Sequence, residues 1–162
     1  MTTYQDAECQ LTLEEALAEF RAVHAESLYT REMSADSREF FRRHDIAHVV
    51  FACDTSLLNE AMVKFWTAFG TTLGFWEHIG AYSREETTSI AGSLRPSAVV
   101  RTFFHAVVLF PRVLVRCRAM TKPWPFDAPD PFLTTRLVDI RQEFNIQPIV
   151  TKGGVVLGGS EA

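Results

Sequence analysis

The spacing of the apolar residues constrains this chain more than any other feature. From Leu13 to Phe144 they recur at three- and four-residue intervals, and the pattern is almost wholly helical. Thr12 and Glu15 have the spacing of a capping box, and Leu13, Leu17, Phe20, His24 and Leu28 follow as one stripe. A second helix is expected from near Asp36 to about Ala52, with Phe40, Phe41, His44, Ala47, His48 and Phe51 as its stripe. Asp54-Thr55-Ser56 supplies turn and N-cap chemistry before a third helix from about Leu57 to His78. Ser83 and Glu86 open a short helix to about Leu94, and Pro96 precedes a long one from Ser97 to Met120 that Pro111 should kink or divide. After the proline-rich loop 121–131, Asp130-Pro131 reads as the start of a last helix, Phe132 to Phe144. The expectation is an all-α, single-domain bundle of about six helices over residues 1–150, with a glycine-rich mobile tail at 151–162.

Composition narrows the function classes. A net charge of −4 over 162 residues gives no reason to expect nucleic acid as a partner. Arginines cluster at Arg42-Arg43 and at Arg112, Arg116 and Arg118, where a solvated helix face is the plain reading and a phosphate or anionic membrane surface the functional one. Cys9, Cys53 and Cys117 form no C-x-x-C pair, which fits a reducing cytosol. Met1 to Glu8 lacks the basic and apolar regions of a secretory signal. Arg101, His105 and Arg112 interrupt the longest apolar stretch, Ala98 to Val115, so a spanning helix is not expected. A cytoplasmic protein, free or attached to a membrane surface, fits these features.

The chemistry concentrates at His44, Asp45, His48 and Glu60. Residues four apart on a helix lie about 40° apart around its axis, so His44 and His48 share a face, with Asp45 at its edge. Two imidazoles one turn apart can grip a divalent cation. Glu60 would point away on an unbroken helix, but His48 lies six residues before Asp54 and Glu60 six after it. A hairpin closing at Asp54 brings them level, as a helix-turn-helix metal site requires. A single histidine on an apolar face is more often a satisfied core residue, and His24 and His105 are read that way. Two histidines and an aspartate within five residues are harder to bury unpaired, at a cost on the order of several kcal/mol.

The run His44-Asp45-Ile46-Ala47-His48 through Glu60 resembles the H-D-x-x-H-x11-E signature of a ubiquinone (coenzyme Q) biosynthesis family that acts late on the quinone head group. Thr55, Lys64 with Phe65-Trp66, and Arg141-Gln142-Glu143-Phe144-Asn145-Ile146 followed by Pro148 extend the likeness, which covers roughly residues 36–150 and is weak between 85 and 130. The chain departs from the family's pattern at Ala52 and Asn59, where glycines are usual, and at Asp54, where a proline is usual. The resemblance implies a divalent metal, zinc or magnesium, held by His44, Asp45, His48 and Glu60, which would also form the catalytic group. It implies an apolar cavity for a prenyl tail, for which thirteen Phe with Trp66, Trp76 and Trp124 are available, although such stripes are more often core. It further implies a prenylated quinone precursor as ligand, association with other ubiquinone-biosynthesis proteins, and a role as head-group decarboxylase, organiser of the complex, or both. A bacterial relative that contacts the inner membrane peripherally and forms a homodimer fits this picture.

Two other functions compete. A histidine-aspartate phosphohydrolase would use His44-Asp45 with an upstream histidine, His24, and a downstream aspartate, Asp127 or Asp139, but leaves His48 and Glu60 without a role. A non-catalytic helical module binding a prenyl lipid would use the metal structurally.

Overall fold

The computed structural model describes residues 3–28, 35–73, 96–149, 151–152 and 155–156. Among them are five α-helices: α1 (Leu13–Leu28), α2 (Ala35–Val50), α3 (Leu57–Gly70), α4 (Pro96–Ala119) and α5 (Leu137–Phe144). The fold is all-helical apart from a two-residue antiparallel ladder, Thr151–Lys152 with Val155–Val156, in the segment expected to be a mobile tail. The short helix expected at 83–94, together with Gly74, Trp76 and His78, lies outside the described residues.

Helix α1 begins as its capping box dictates. Glu15 accepts from the Thr12 backbone N–H at 2.8 Å, and the Glu15 N–H donates back to the Thr12 hydroxyl at 3.3 Å. Leu13, Leu17 and Phe20 are buried against α2, as the stripe predicts. His24 is not core; it is half-buried, at a point where the helix departs from helical geometry (φ −112°, ψ 16°).

Three helix boundaries differ from expectation. Helix α3 ends at Gly70, eight residues early, because Thr71 turns extended and pairs with Trp124, while the Trp124 N–H takes the Gly70 carbonyl at 2.8 Å. A Cβ on Gly70 would lie 3.2 Å from both Cys117 Sγ and Met120 Sδ, so this glycine permits the close approach of α3 and α4. Helix α5 starts at Leu137 rather than Phe132. Asp130–Phe132 forms a separate 3-10 turn, and the Leu137 and Val138 N–H groups donate to the carbonyls of Leu11 and Cys9. Helix α4 is not divided at Pro111. That proline and Val107, whose carbonyl loses its partner there, both face outward, where water can satisfy the carbonyl. His105, read as core, is exposed on the same helix.

The core is aromatic at its centre. Phe51 stacks on Trp66 with centroids 4.7 Å apart, and Trp124 packs against Phe132 and Phe144. Trp66 and Trp124 are fully buried and are core residues, not the lining of an open groove. The C-terminus of α2 is fastened from outside the helix. Arg141 on α5 is buried and donates to four carbonyls, those of Val49, Val50, Tyr4 and Asp6, at 2.6–3.1 Å. Burial pulls its pKa down to about 10, so it remains charged at neutral pH.

Candidate metal centre

The turn between α2 and α3 sets the geometry. Ala52 adopts a left-handed conformation (φ 57°), the Cys53 N–H donates to the His48 carbonyl at 2.8 Å, and the Ala52 N–H donates to Val49 at 3.2 Å. This is a Schellman ending, and it demands a left-handed residue at a position where glycine is usual in the family the motif resembles. Asp54 then accepts from the Ser56 N–H (2.8 Å) and from the Asn59 amide (2.7 Å). Ser56 caps α3 by accepting from the Asn59 N–H, and the Glu60 N–H donates to the Ser56 carbonyl at 2.8 Å. Asp54 and Asn59, two departures from the family pattern, therefore hold the turn together.

The turn brings His44, His48 and Glu60 to one point, with one ligand atom from each lying within 4.8 Å of the others. His44 Nε2 is 3.1 Å from His48 Nε2, Glu60 Oε1 is 3.2 Å from His48 Nε2, and Glu60 Oε2 is 3.7 Å from His44 Nε2. Atoms sharing one ion at about 2.0–2.1 Å can be no more than about 4.2 Å apart, and all three separations satisfy that limit. Both histidines are buried, and 32% of the Glu60 side chain is exposed, so the group is reached from the Glu60 side.

The protein also fixes the orientation of one candidate ligand. His48 Nδ1 lies 3.3 Å from the Cys53 carbonyl, an oxygen that can only accept, so Nδ1 donates there and Nε2 is the atom turned toward His44 and Glu60. The His48 ring stacks on Phe20, with centroids 5.2 Å apart at 27°, which holds its plane. Burial lowers the His44 pKa despite its hydrogen bond to Glu60, so this imidazole is neutral at neutral pH. Burial would raise the Glu60 carboxyl, but hydrogen bonds from His44 and His48 outweigh it and hold the group well below the usual carboxylate range. Two imidazoles and a carboxylate converging in a largely buried place could hold a divalent cation.

Asp45 lies outside this group. Its buried carboxylate accepts from Arg21 Nε at 3.1 Å, and Arg21 is partly exposed on α1. His24 also lies beside the turn, with Nδ1 2.9 Å from the Thr55 hydroxyl. Asp127 pairs with Arg43, and Asp139 with Arg136, so neither aspartate that a phosphohydrolase would need stands with the histidines. Arg42 and Arg43 both pair with Glu39 and clasp α2 to the 121–131 loop through Asp130 and Asp127. They are engaged structurally rather than held open beside the metal group. A cavity of about 330 Å³ is lined in part by Glu8, Arg141, Asn145 and Gln147, and includes none of the three converging residues.

Sequence reasoning missed two contributors. The Cys53 carbonyl that orients His48 has no residue-level signal, because it is backbone. Arg21 had a weak one: it sits four residues after Leu17, at the margin of the α1 stripe that faces α2.

No family model, no curated protein and no solved structure matches this chain. The likeness to the ubiquinone-biosynthesis signature is carried by the motif residues alone.

Proposed function

We propose that this chain is a metal-dependent protein of prenyl quinone biosynthesis, binding a prenylated quinone precursor at a helix-turn-helix metal site and acting on its head group as decarboxylase, organising partner enzymes, or both. The observation that carries the reading is the return of Glu60 across the Asp54 turn to within 3.2 Å of His48. The motif's four residues are those of the family signature. His44, His48 and Glu60 would hold the ion. Two imidazoles and one carboxylate suit zinc better than magnesium, which prefers an all-oxygen shell. A bound ion would supply Lewis-acid polarisation of a head-group oxygen.

The remaining roles fall to this chain's own side chains. Phe20 and the Cys53 carbonyl keep His48 in its ligating orientation. Asp45 holds Arg21, whose partly exposed guanidinium would meet an acidic substituent of the head group. Glu60, at the open edge, leaves room for the ligand to approach. The phosphohydrolase alternative loses ground because Asp45, Asp127 and Asp139 are each engaged in an ion pair with an arginine.

Lipid extraction from the purified protein, combined with an assay of head-group conversion, tests the reading. Prenyl quinones or their carboxylated precursors should be enriched, and Asp45→Asn should retain the lipid while lowering conversion. Recovery of no apolar ligand together with hydrolysis of a water-soluble phosphate ester would overturn it.

A further inference from the structure

Tyr4 reaches the metal group by two routes. It is fully buried, in the short 3-10 turn Thr3–Gln5, and its hydroxyl donates to the Cys53 carbonyl at 3.4 Å. That carbonyl is the one that accepts from His48 Nδ1 at 3.3 Å. The Tyr4 ring meets Phe20 edge to face, with centroids 5.6 Å apart at 79°, and Phe20 is the ring stacked on His48. Both supports of the His48 imidazole are therefore themselves held by one side chain. The backbone of Tyr4 is fixed from two directions. Glu19 accepts from the Thr3 and Tyr4 N–H groups at 2.8 and 2.9 Å, and Arg141 donates to the Tyr4 carbonyl at 2.7 Å. A buried tyrosine commonly finds some partner for its hydroxyl. Filling space in the core does not require that partner and the neighbouring ring to be the two that hold one candidate ligand.

We infer that Tyr4 is a positioning residue of the metal centre, acting on His48 through the Cys53 carbonyl and Phe20. The inference rests on the reading of His44, His48 and Glu60 as a cation site. A backbone carbonyl has two lone pairs. With the Tyr4 hydroxyl on one of them, the Cys53 carbonyl is held so that the other meets His48 Nδ1. Without the hydroxyl the carbonyl turns more freely, and Nε2 is aimed less firmly at the point it shares with His44 and Glu60.

Cobalt(II) titration of the metal-free protein tests this, because the visible spectrum of bound cobalt reports ligand geometry as well as affinity. Tyr4→Phe keeps the ring, removes only the hydroxyl, and should remain folded by far-UV circular dichroism. It should bind cobalt about three- to tenfold more weakly and with altered visible bands, a smaller loss than the roughly 10–100-fold expected for a direct partner of a ligating histidine. Tyr4→Leu, which also removes the contact with Phe20, should lose more. Thr67→Val is the control, since it deletes another buried hydroxyl, one that donates instead to the Val63 carbonyl at 2.8 Å. It should lower the urea midpoint yet leave affinity and spectrum unchanged, because a stability loss that leaves the chain folded does not alter the binding-competent fraction. Natural affinity and spectrum in Tyr4→Phe, or an equal loss in Thr67→Val, overturns the inference and leaves the cation site standing. Absence of cobalt binding by the natural sequence removes the cation site, and the inference with it.

Discussion

Two buried charged clusters sit at the C-terminal half of α2, and they are built on opposite principles. At the helix end, Arg141 spends its donors on four carbonyls, two of which, Val49 and Val50, are among those the helix leaves without intrahelical partners. One turn earlier, His44, His48 and Glu60 point electron-rich atoms at one another. The first cluster is electrostatically complete and serves the fold. The second is complete only with shared protons or a cation, and a protein keeps such an arrangement where it binds something. The two are joined by Ala52 and Cys53, so the structural cluster fixes the helix end whose Cys53 carbonyl orients His48.

The comparison breaks most readily at Arg141. Arg141→Met leaves four carbonyls, three of them in buried hydrogen bonds, without that donor and should cost about 3 kcal/mol or more, read as a lower urea midpoint. Replacement of Glu60 by alanine should abolish divalent-ion binding and destabilise the metal-free protein less than Arg141→Met does, because the Glu60 side chain is about one-third exposed and loses only its contacts with His44 and His48. Comparable destabilisation by the two substitutions would erase the distinction.

Acidification sharpens the contrast. His44 has a folded pKa below its ordinary 6.5, so the unfolded chain takes up its proton first and stability falls as pH drops below about 6.5. Glu60 is also lowered, and its contribution is lost only below about 4.5. Metal-free protein should therefore lose stability in two stages, followed by urea titration at a series of pH values. His44→Gln should shrink the first stage and leave the part due to His24, whose pKa burial also lowers. Arg141 contributes nothing to either, because it stays charged throughout that range. The smallest effect is expected at Ala52, whose left-handed backbone strains any side chain. Ala52→Gly should raise stability by about 0.5–1 kcal/mol in thermal denaturation and leave metal affinity unchanged.

Much of this arrangement was legible in the sequence because it rests on local rules. The capping box at Thr12 and Glu15, the turn at Asp54, and the equal spacing of His48 and Glu60 about it need no knowledge of the rest of the chain. What escaped depends on distant partners. Helix α3 stops at Gly70 because Trp124 claims its backbone, and α5 starts at Leu137 because residues 9–11 cap it from across the molecule. Asp45 looked like a ligand from its place beside His44, but the side chain that answers it, Arg21, lies twenty-four residues away on α1. The exposure of His105 could not be read from an apolar run that turned out to contain an outward-facing line.

The claim that His44, His48 and Glu60 form a cation site is tested most directly by titrating zinc into the metal-free protein and into His48→Ala, with binding followed calorimetrically. The structure predicts about one ion per chain for the natural sequence and loss of that site in the variant. Absence of binding to the natural sequence, or the same stoichiometry and affinity in both proteins, would contradict it.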